Sequence, residues 1–186
     1  MSKKKYTSRP VTSRQYGQKP GKGKASPKTV VIISVCAIVL GVLMTAQDYL
    51  DRHTQASIDA QAVMAEALAE VSAAVPDYAE DVLAAGSSES GAAAELKKAA
   101  ETLTSGSLNE RSEAYRAIAS ALEAQTKVKS AASAKALSEA MSAAEDTAVA
   151  YNKEAQALNE KIGKFPYNIV AKIGGYVDFP IFVLSE

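Results

Sequence analysis

Residues 29–46 constrain the fold of this chain more than any other stretch. They read TVVIISVCAIVLGVLMTA, eighteen residues without a single charge. As an α-helix this run would be about 27 Å long, which is close to the hydrocarbon thickness of a bilayer. In lipid the backbone must satisfy its own hydrogen bonds, and a helix does so whatever its side chains. We therefore predict a transmembrane helix over residues 29–46.

The charges on the two sides of this run are opposite in sign. Residues 1–28 contain nine Lys or Arg and no acid, whereas residues 48–186 contain twelve bases and all twenty-one acids. Because basic flanks stay in the cytoplasm, the N-terminus is expected inside and the acidic body outside the cytoplasmic membrane. Residues 45–48 offer only a weak cleavage site, so the span is predicted to be an uncleaved signal-anchor.

The basic tail, residues 1–28, is rich in Lys, Arg, Ser, Pro and Gly and has no apolar repeat. Such a segment has no burial to offset the entropy of ordering, so we predict disorder. Its charge suits anionic lipid headgroups beside the span. Tyr6 and Tyr16 would permit stacking on nucleic acid, but the adjoining span favours the lipid, and no nucleic-acid partner is expected.

The residues after the span predict an all-α body. Ala, Glu, Ser and Lys dominate, and apolar residues recur at helical spacing. Helix 1 is expected to run from the membrane to Val75, with a boundary or kink at Pro76. Residues 86–91 should interrupt the next helix, Ser107 and Glu110 form a capping-box pattern, and a turn is expected near residues 126–133. The predicted buried stripes are Met64, Leu68, Val71 and Val75, then Leu96, Ala99, Ala100 and Leu103, then Leu108, Tyr115, Ile118, Ala119 and Leu122.

The last long helix, expected to end near Lys164, has the most regular stripe. Its spacing alternates between four and three residues, as in a coiled coil. The stripe consists of Leu137, Met141, Ala144, Ala148, Tyr151, Ala155, Leu158 and Ile162. It predicts a partner helix in cis, in trans or both.

The C-terminal residues, 165–186, are too apolar for a free terminus. Phe165-Pro166 should end the long helix, and Asn168 can bond locally at the turn. Asn152 and Asn159 are seven residues apart, so both lie on one helix face, where they can cap or cross-link neighbouring backbone. The segment is expected to pack on the body, a neighbour or the membrane. The alternative is that residues 179–182, including Phe179 and Phe182, form an adhesive apolar patch for neighbouring protomers or the bilayer.

These C-terminal residues resemble the signature of the LemA family. The resemblance rests on Tyr151-Asn152, Asn159, Ile162, Phe165-Pro166, Asn168, Ile169-Val170-Ala171 and Gly175-Tyr176. The N-terminal span and the proline at position 76 also resemble the family, whereas Leu158 stands where the family has a second tyrosine. The resemblance implies a long antiparallel bundle of about four helices on a membrane anchor, and it implies no reaction.

No residue pattern indicates catalysis. The chain has one cysteine, Cys36, inside the apolar run, and one histidine, His53, which we interpret as a polar residue at headgroup level. There is no Gly-rich phosphate loop and no metal-ligand spacing. Adjacent carboxylates such as Glu80-Asp81 point in different directions on a helix. We therefore expect no enzyme activity, no cofactor and no metal.

The sequence as a whole predicts a basic tail (1–28), a transmembrane helix (29–46), a LemA-like helical body (48–164) and an apolar C-terminal segment (165–186). The favoured function is a self-associating, non-enzymatic scaffold of the cell envelope. The alternative is a transmembrane signalling or adaptor subunit that recruits another membrane protein.

Overall fold

A computed structural model describes residues 26–86, 90–125, 128 and 131–184. Most of these residues are helical, and none of them forms a strand. The five helices are α1 (Pro27–Ala85), α2 (Ser90–Ser105), α3 (Leu108–Ala124), α4 (Ala132–Ile162) and α5 (Tyr167–Gly174). The predicted all-α class is confirmed. Nearly all of the predicted basic tail lies outside the described residues.

The chain divides into two compact units, Met1–Ile38 and Val39–Glu186. In the first unit, the Oγ of Ser26 accepts a hydrogen bond from the Thr29 N–H at 3.3 Å. Its large apolar side chains are half or more exposed: Val30, Val31, Ile32, Ile33, Val35 and Ile38. Within the described part of the chain, α1 is the helix whose length and composition suffice to cross a membrane, and 6 % of its most apolar 18 residues are buried.

Helix α1 continues through Pro76, so of the two predicted alternatives at this residue, a boundary or a kink, the boundary is wrong. Val75, Tyr78, Ala79 and Val82 lie on both sides of the proline and are fully buried. Proline inside a helix removes one backbone hydrogen bond and crowds the preceding turn. Here the apolar residues on either side are packed in one core, which holds the segment helical as far as Ala85.

The core of the second unit joins residues from α1, α2, α3 and α4. The predicted α1 stripe from Met64 to Val75 is fully buried, and the α2 stripe is buried as well. In α3, Tyr115 and Ile118 are buried, whereas Leu108, Ala119 and Leu122 are partly buried. The helical periodicity therefore identified the inward faces of the first three helices correctly.

The regular stripe of α4 is also buried, from Leu137 to Leu158, with Ile162 half-buried at its end. Ala148, Tyr151 and Ala155 are each 0 % exposed within a single chain. The surface on which this stripe packs is therefore formed by the same chain.

Two predicted helix boundaries agree with the structure. The Ser107 Oγ accepts from the Glu110 N–H at 3.5 Å, and the Glu110 Oε2 accepts from the Ser107 N–H at 2.7 Å, which is the predicted capping box. These hydrogen bonds to Ser107 lower the pKa of Glu110. The predicted interruption at residues 86–91 is shorter in the structure, because α1 ends at Ala85 and α2 already begins at Ser90; residues 87–89 lie outside the described part. Helix α4 ends at Ile162, two residues before the predicted Lys164.

Candidate functional site

The C-terminal segment, which we define as residues 176–184, packs on the helices of the second unit. It contains neither helix nor strand. Phe182 is 1 % exposed and belongs to the main core, and Phe179, Ile181 and Leu184 pack against that core. The segment is therefore part of the folded body of its own chain.

Two asparagines of α4 bind the backbone of this segment, each through both ends of its amide. The Asn152 Nδ2 donates to the Phe182 carbonyl at 2.7 Å, and its Oδ1 accepts from the Phe182 N–H at 2.8 Å. The Asn159 Nδ2 donates to the Phe179 carbonyl at 2.7 Å, and its Oδ1 accepts from the Phe179 N–H at 2.9 Å. We call this arrangement the asparagine clamp. It gives four backbone groups of the segment the partners that a neighbouring strand would give them.

The spacing of the clamp follows from helix and chain geometry. Residues seven apart on a helix are separated by about 10.5 Å along its axis. Three extended residues span about 10 Å. Asn152 and Asn159 therefore match Phe182 and Phe179, with the segment running opposite to α4. This match explains why two asparagines at this spacing engage residues three apart in the segment.

Neighbouring side chains add further bonds to the segment. The Tyr151 hydroxyl donates to the Pro180 carbonyl at 2.6 Å. The Ser112 Oγ accepts from the Val183 N–H at 3.1 Å and donates to the Leu108 carbonyl at 3.1 Å. The segment is thus bonded to α3 as well as to α4.

Tyrosine rings and hydroxyls close the site around Phe182. The Tyr115 ring meets the Phe182 ring edge-on, with the centroids 5.9 Å apart, and its hydroxyl donates to the Met141 carbonyl at 2.9 Å. Burial, with a contribution from Glu145, raises the pKa of Tyr115 to about 12. Burial also raises the pKa of Tyr151. Both hydroxyls therefore keep the proton that they donate at neutral pH.

The structure brings together five of the eight residues singled out from the sequence: Tyr151, Asn152, Asn159, Phe179 and Phe182. Of the other three, Phe165 and Pro166 lie between α4 and α5, and Asn168 is the second residue of α5. Phe165 is 76 % exposed, and Phe165-Pro166 is a cis peptide bond. The Asn168 N–H donates to the Lys164 carbonyl at 2.9 Å. Its side-chain oxygen has no hydrogen-bond partner among the described residues, contrary to the expected local bond.

The alternative of an adhesive patch over residues 179–182 does not fit the burial of Phe182. The clamp bonds turn this side chain into the core, and its neighbours Phe179 and Ile181 are half-buried. The strongly exposed apolar side chains of this region are instead Phe165, Ile173 and Val177.

Sequence reasoning missed the contribution of Ser112. This serine is 3 % exposed and lies on the same α3 face as Leu108 and Tyr115. A polar residue within a buried stripe requires a hydrogen-bond partner, and that was the available signal. The sequence does not show that the partner is the Val183 N–H, 71 residues away.

A second cluster lies where α5 packs on α1 and α4. Val170 and Ala171 of α5 pack with Ala46, Leu50 and Leu158. Gly175 caps α5 at φ 73°, a conformation that suits glycine. Tyr176 then follows, and its hydroxyl donates to the Asp51 carboxylate. This hydrogen bond, followed by burial, raises the pKa of Tyr176 to about 12.

We predict that the hydrogen bond to Asp51 is the main cause of the raised pKa of Tyr176. The folded-state pKa lies above the ordinary value of 10.0, so the bond stabilises the fold below about pH 10 and is lost as pH rises towards 12. In Tyr176→Phe, absorbance titration at alkaline pH should detect one high-pKa tyrosine fewer than in the wild type. In Asp51→Asn, the same tyrosine should titrate nearer to its ordinary value. Identical titrations of the wild type and Asp51→Asn would refute this assignment.

His53 is paired rather than isolated. Its Nδ1 lies 3.0 Å from the Glu154 Oε2, and its ring centroid is 4.3 Å from that of Tyr49. Within residues 26–86, 90–125, 128 and 131–184, no three His, Cys, Asp or Glu side chains are grouped to hold a metal ion. The role of His53 in this structure is an inter-helix contact between α1 and α4.

Comparisons with protein-family models, with curated proteins and with solved structures find no match to this chain. The resemblance to the LemA family therefore rests on the residues quoted from the sequence. Of those residues, Tyr151, Asn152 and Asn159 bind the C-terminal segment in the structure.

Proposed function

We propose that this chain is a single-pass protein of the bacterial cytoplasmic membrane, with its N-terminus in the cytoplasm and its helical body outside. The observation that carries the proposal is the apolar surface of α1 around residues 30–42. Its valine, isoleucine and leucine side chains are 45–66 % exposed. A contiguous apolar surface of this kind is unfavourable in water and favourable in a bilayer.

The body, in this proposal, is a LemA-like antiparallel bundle of α1 to α4. Three contacts between α1 and α4 support the antiparallel direction. Tyr49 bonds the Ala157 carbonyl, His53 pairs with Glu154, and Asp81 accepts from the Ser133 hydroxyl. As the residue number rises along α1, the residue number of its partner on α4 therefore falls.

We further propose that the protein is a non-enzymatic scaffold that associates with copies of itself. The α4 stripe and the C-terminal segment are both covered in cis, so neighbour contacts would use other surfaces. Ile58 and Val149 are 47 % and 55 % exposed. His53 of α1 pairs with Glu154 of α4. In an antiparallel pair, Ile58, five residues after His53, therefore lies at the same level as Val149, five residues before Glu154. Val63, 53 % exposed, lies further along α1.

The anchor is tested by fractionation and protease accessibility of the full chain in cells. We expect the protein to stay in the membrane pellet after alkaline carbonate, because the span is held by lipid contacts rather than by charge. External protease should digest the body and spare the basic tail. Release by carbonate would contradict the anchor, and protection of the body would contradict the orientation.

Self-association is tested by light scattering in mild detergent. We expect a protein mass that is a multiple of 19.5 kDa at micromolar concentration. The double variant Ile58→Lys, Val149→Lys should shift the mass towards one chain, because charge in an apolar contact is costly. Leu83→Lys, on a residue 40 % exposed elsewhere on α1, is the control and should leave the mass unchanged. A wild-type protein of one chain at all concentrations would rule out the scaffold.

A further inference from the structure

An apolar ridge is exposed at the α5 end of the second unit. We define the α5 ridge as Phe165, Ile169 and Ile173, which are spaced by four residues and are 76 %, 41 % and 82 % exposed. Ile169 and Ile173 share one face of α5, and Phe165 lies just before the helix. Among the described residues of the body, the other exposed apolar side chains, such as Ile58 and Leu83, do not form a comparable row along one short element.

The inward face of α5 fixes the position of this ridge. Val170 and Ala171 pack against Ala46 and Leu50 of α1. Ala46 is the last residue of the uncharged run, and Leu40, Val42 and Met44 of the same unit are 45–70 % exposed. The ridge therefore lies at the level along α1 where the apolar run ends and the polar sequence begins.

The residues beside the ridge are typical of a membrane–water interface. Lys164 and Lys172 are exposed on either side of it. The Lys161 Nζ lies 5.9 Å from the centroid of the Tyr167 ring, and that ring stacks edge-on with Tyr49 at 5.3 Å. Tyrosines are enriched at headgroup level, and lysines there keep their stems in apolar surroundings and their charges in water.

We propose that the α5 ridge lies in the headgroup region of the same bilayer that α1 spans, with Ile169 and Ile173 directed at the lipid. This inference rests on the membrane anchor of the proposed function. It makes α5 an amphipathic element that lies on the membrane, with one face on the helical body and the other in the interface.

The absence of tryptophan from the chain makes a direct test possible. A single tryptophan is introduced into the full chain, which is reconstituted into vesicles of phosphatidylcholine and phosphatidylglycerol with or without brominated acyl chains. We expect Ile173→Trp to emit at a shorter wavelength than in water and to be quenched by the brominated lipid. The matched control is Leu83→Trp, an exposed position of α1 thirty-seven residues after Ala46, about 55 Å along the axis. It should be quenched several-fold less.

A third variant, Ile38→Trp, reports the anchor alone. Quenching of Ile38→Trp without quenching of Ile173→Trp above the Leu83→Trp level would overturn the α5 proposal and leave the anchor intact. An unquenched Ile38→Trp would overturn both. A blue shift of Ile173→Trp that increases with the protein-to-lipid ratio and resists brominated lipid would show a second copy on the ridge, and would also overturn the proposal.

Discussion

Replacing Phe182 with alanine should lower the free energy of unfolding by about 3–5 kcal/mol, the usual cost of truncating a buried phenylalanine. The side chain is 1 % exposed and packs edge-on against the Tyr115 ring. The clamp bonds at its own N–H and carbonyl prevent the segment from moving to fill the cavity. Denaturant unfolding of the full chain in mild detergent, followed by helical circular dichroism, measures the loss.

The control for this variant is Val177→Ala in the same segment. Val177 is 68 % exposed, so its truncation should change the free energy of unfolding by no more than about 0.5 kcal/mol. Equal effects of the two variants would show that the C-terminal segment does not belong to the cooperative fold.

Replacing both clamp residues, Asn152→Leu with Asn159→Leu, should release the C-terminal segment from α4. Each asparagine serves one N–H and one carbonyl of the segment, and each of these groups that stays buried without a partner costs about 1–3 kcal/mol. Leucine has the same number and branching of side-chain heavy atoms as asparagine, so the change removes the hydrogen bonds and keeps the branching of the side chain. Limited proteolysis, read by the mass of the product, should show cleavage within residues 176–184 while the helices persist.

Gln156→Leu is the matched control for the clamp variants. Gln156 carries the same amide group on the same helix, between the two asparagines, and is exposed. It should leave the protease resistance of the segment unchanged. Asn152→Asp keeps the acceptor for the Phe182 N–H but loses the donor to its carbonyl, so cleavage should be intermediate. Wild-type resistance in the double leucine variant would mean that the asparagines do not fasten the segment.

Much of the helical body could be predicted from the sequence, because periodicity reports which face of a helix is buried. The four-three spacing from Leu137 to Leu158 corresponds to buried positions throughout. Local chemistry was equally informative at Ser107, where a capping box begins α3. Both signals are contained within a few turns of one helix.

The contacts between residues far apart in the sequence could not be predicted in the same way. The Tyr176 hydroxyl meets Asp51 across 125 residues of sequence, and no local pattern connects them. At Pro76 the local rule predicted a boundary or a kink, and the boundary was wrong for a related reason, since packing on both sides of the proline keeps the helix continuous. The spacing of Asn152 and Asn159 indicated a shared face, whereas the identity of the bound backbone required the path of the C-terminal segment.

Amide hydrogen exchange in the full-length protein tests most directly whether this segment is fastened to its own helical body. The N–H groups of Phe179, Phe182 and Val183 each donate to a side chain of α4 or α3. They should therefore exchange as slowly as the interior amides of α4. Exchange of these three amides at the rate of an unstructured peptide, while α4 stays protected, would contradict the account.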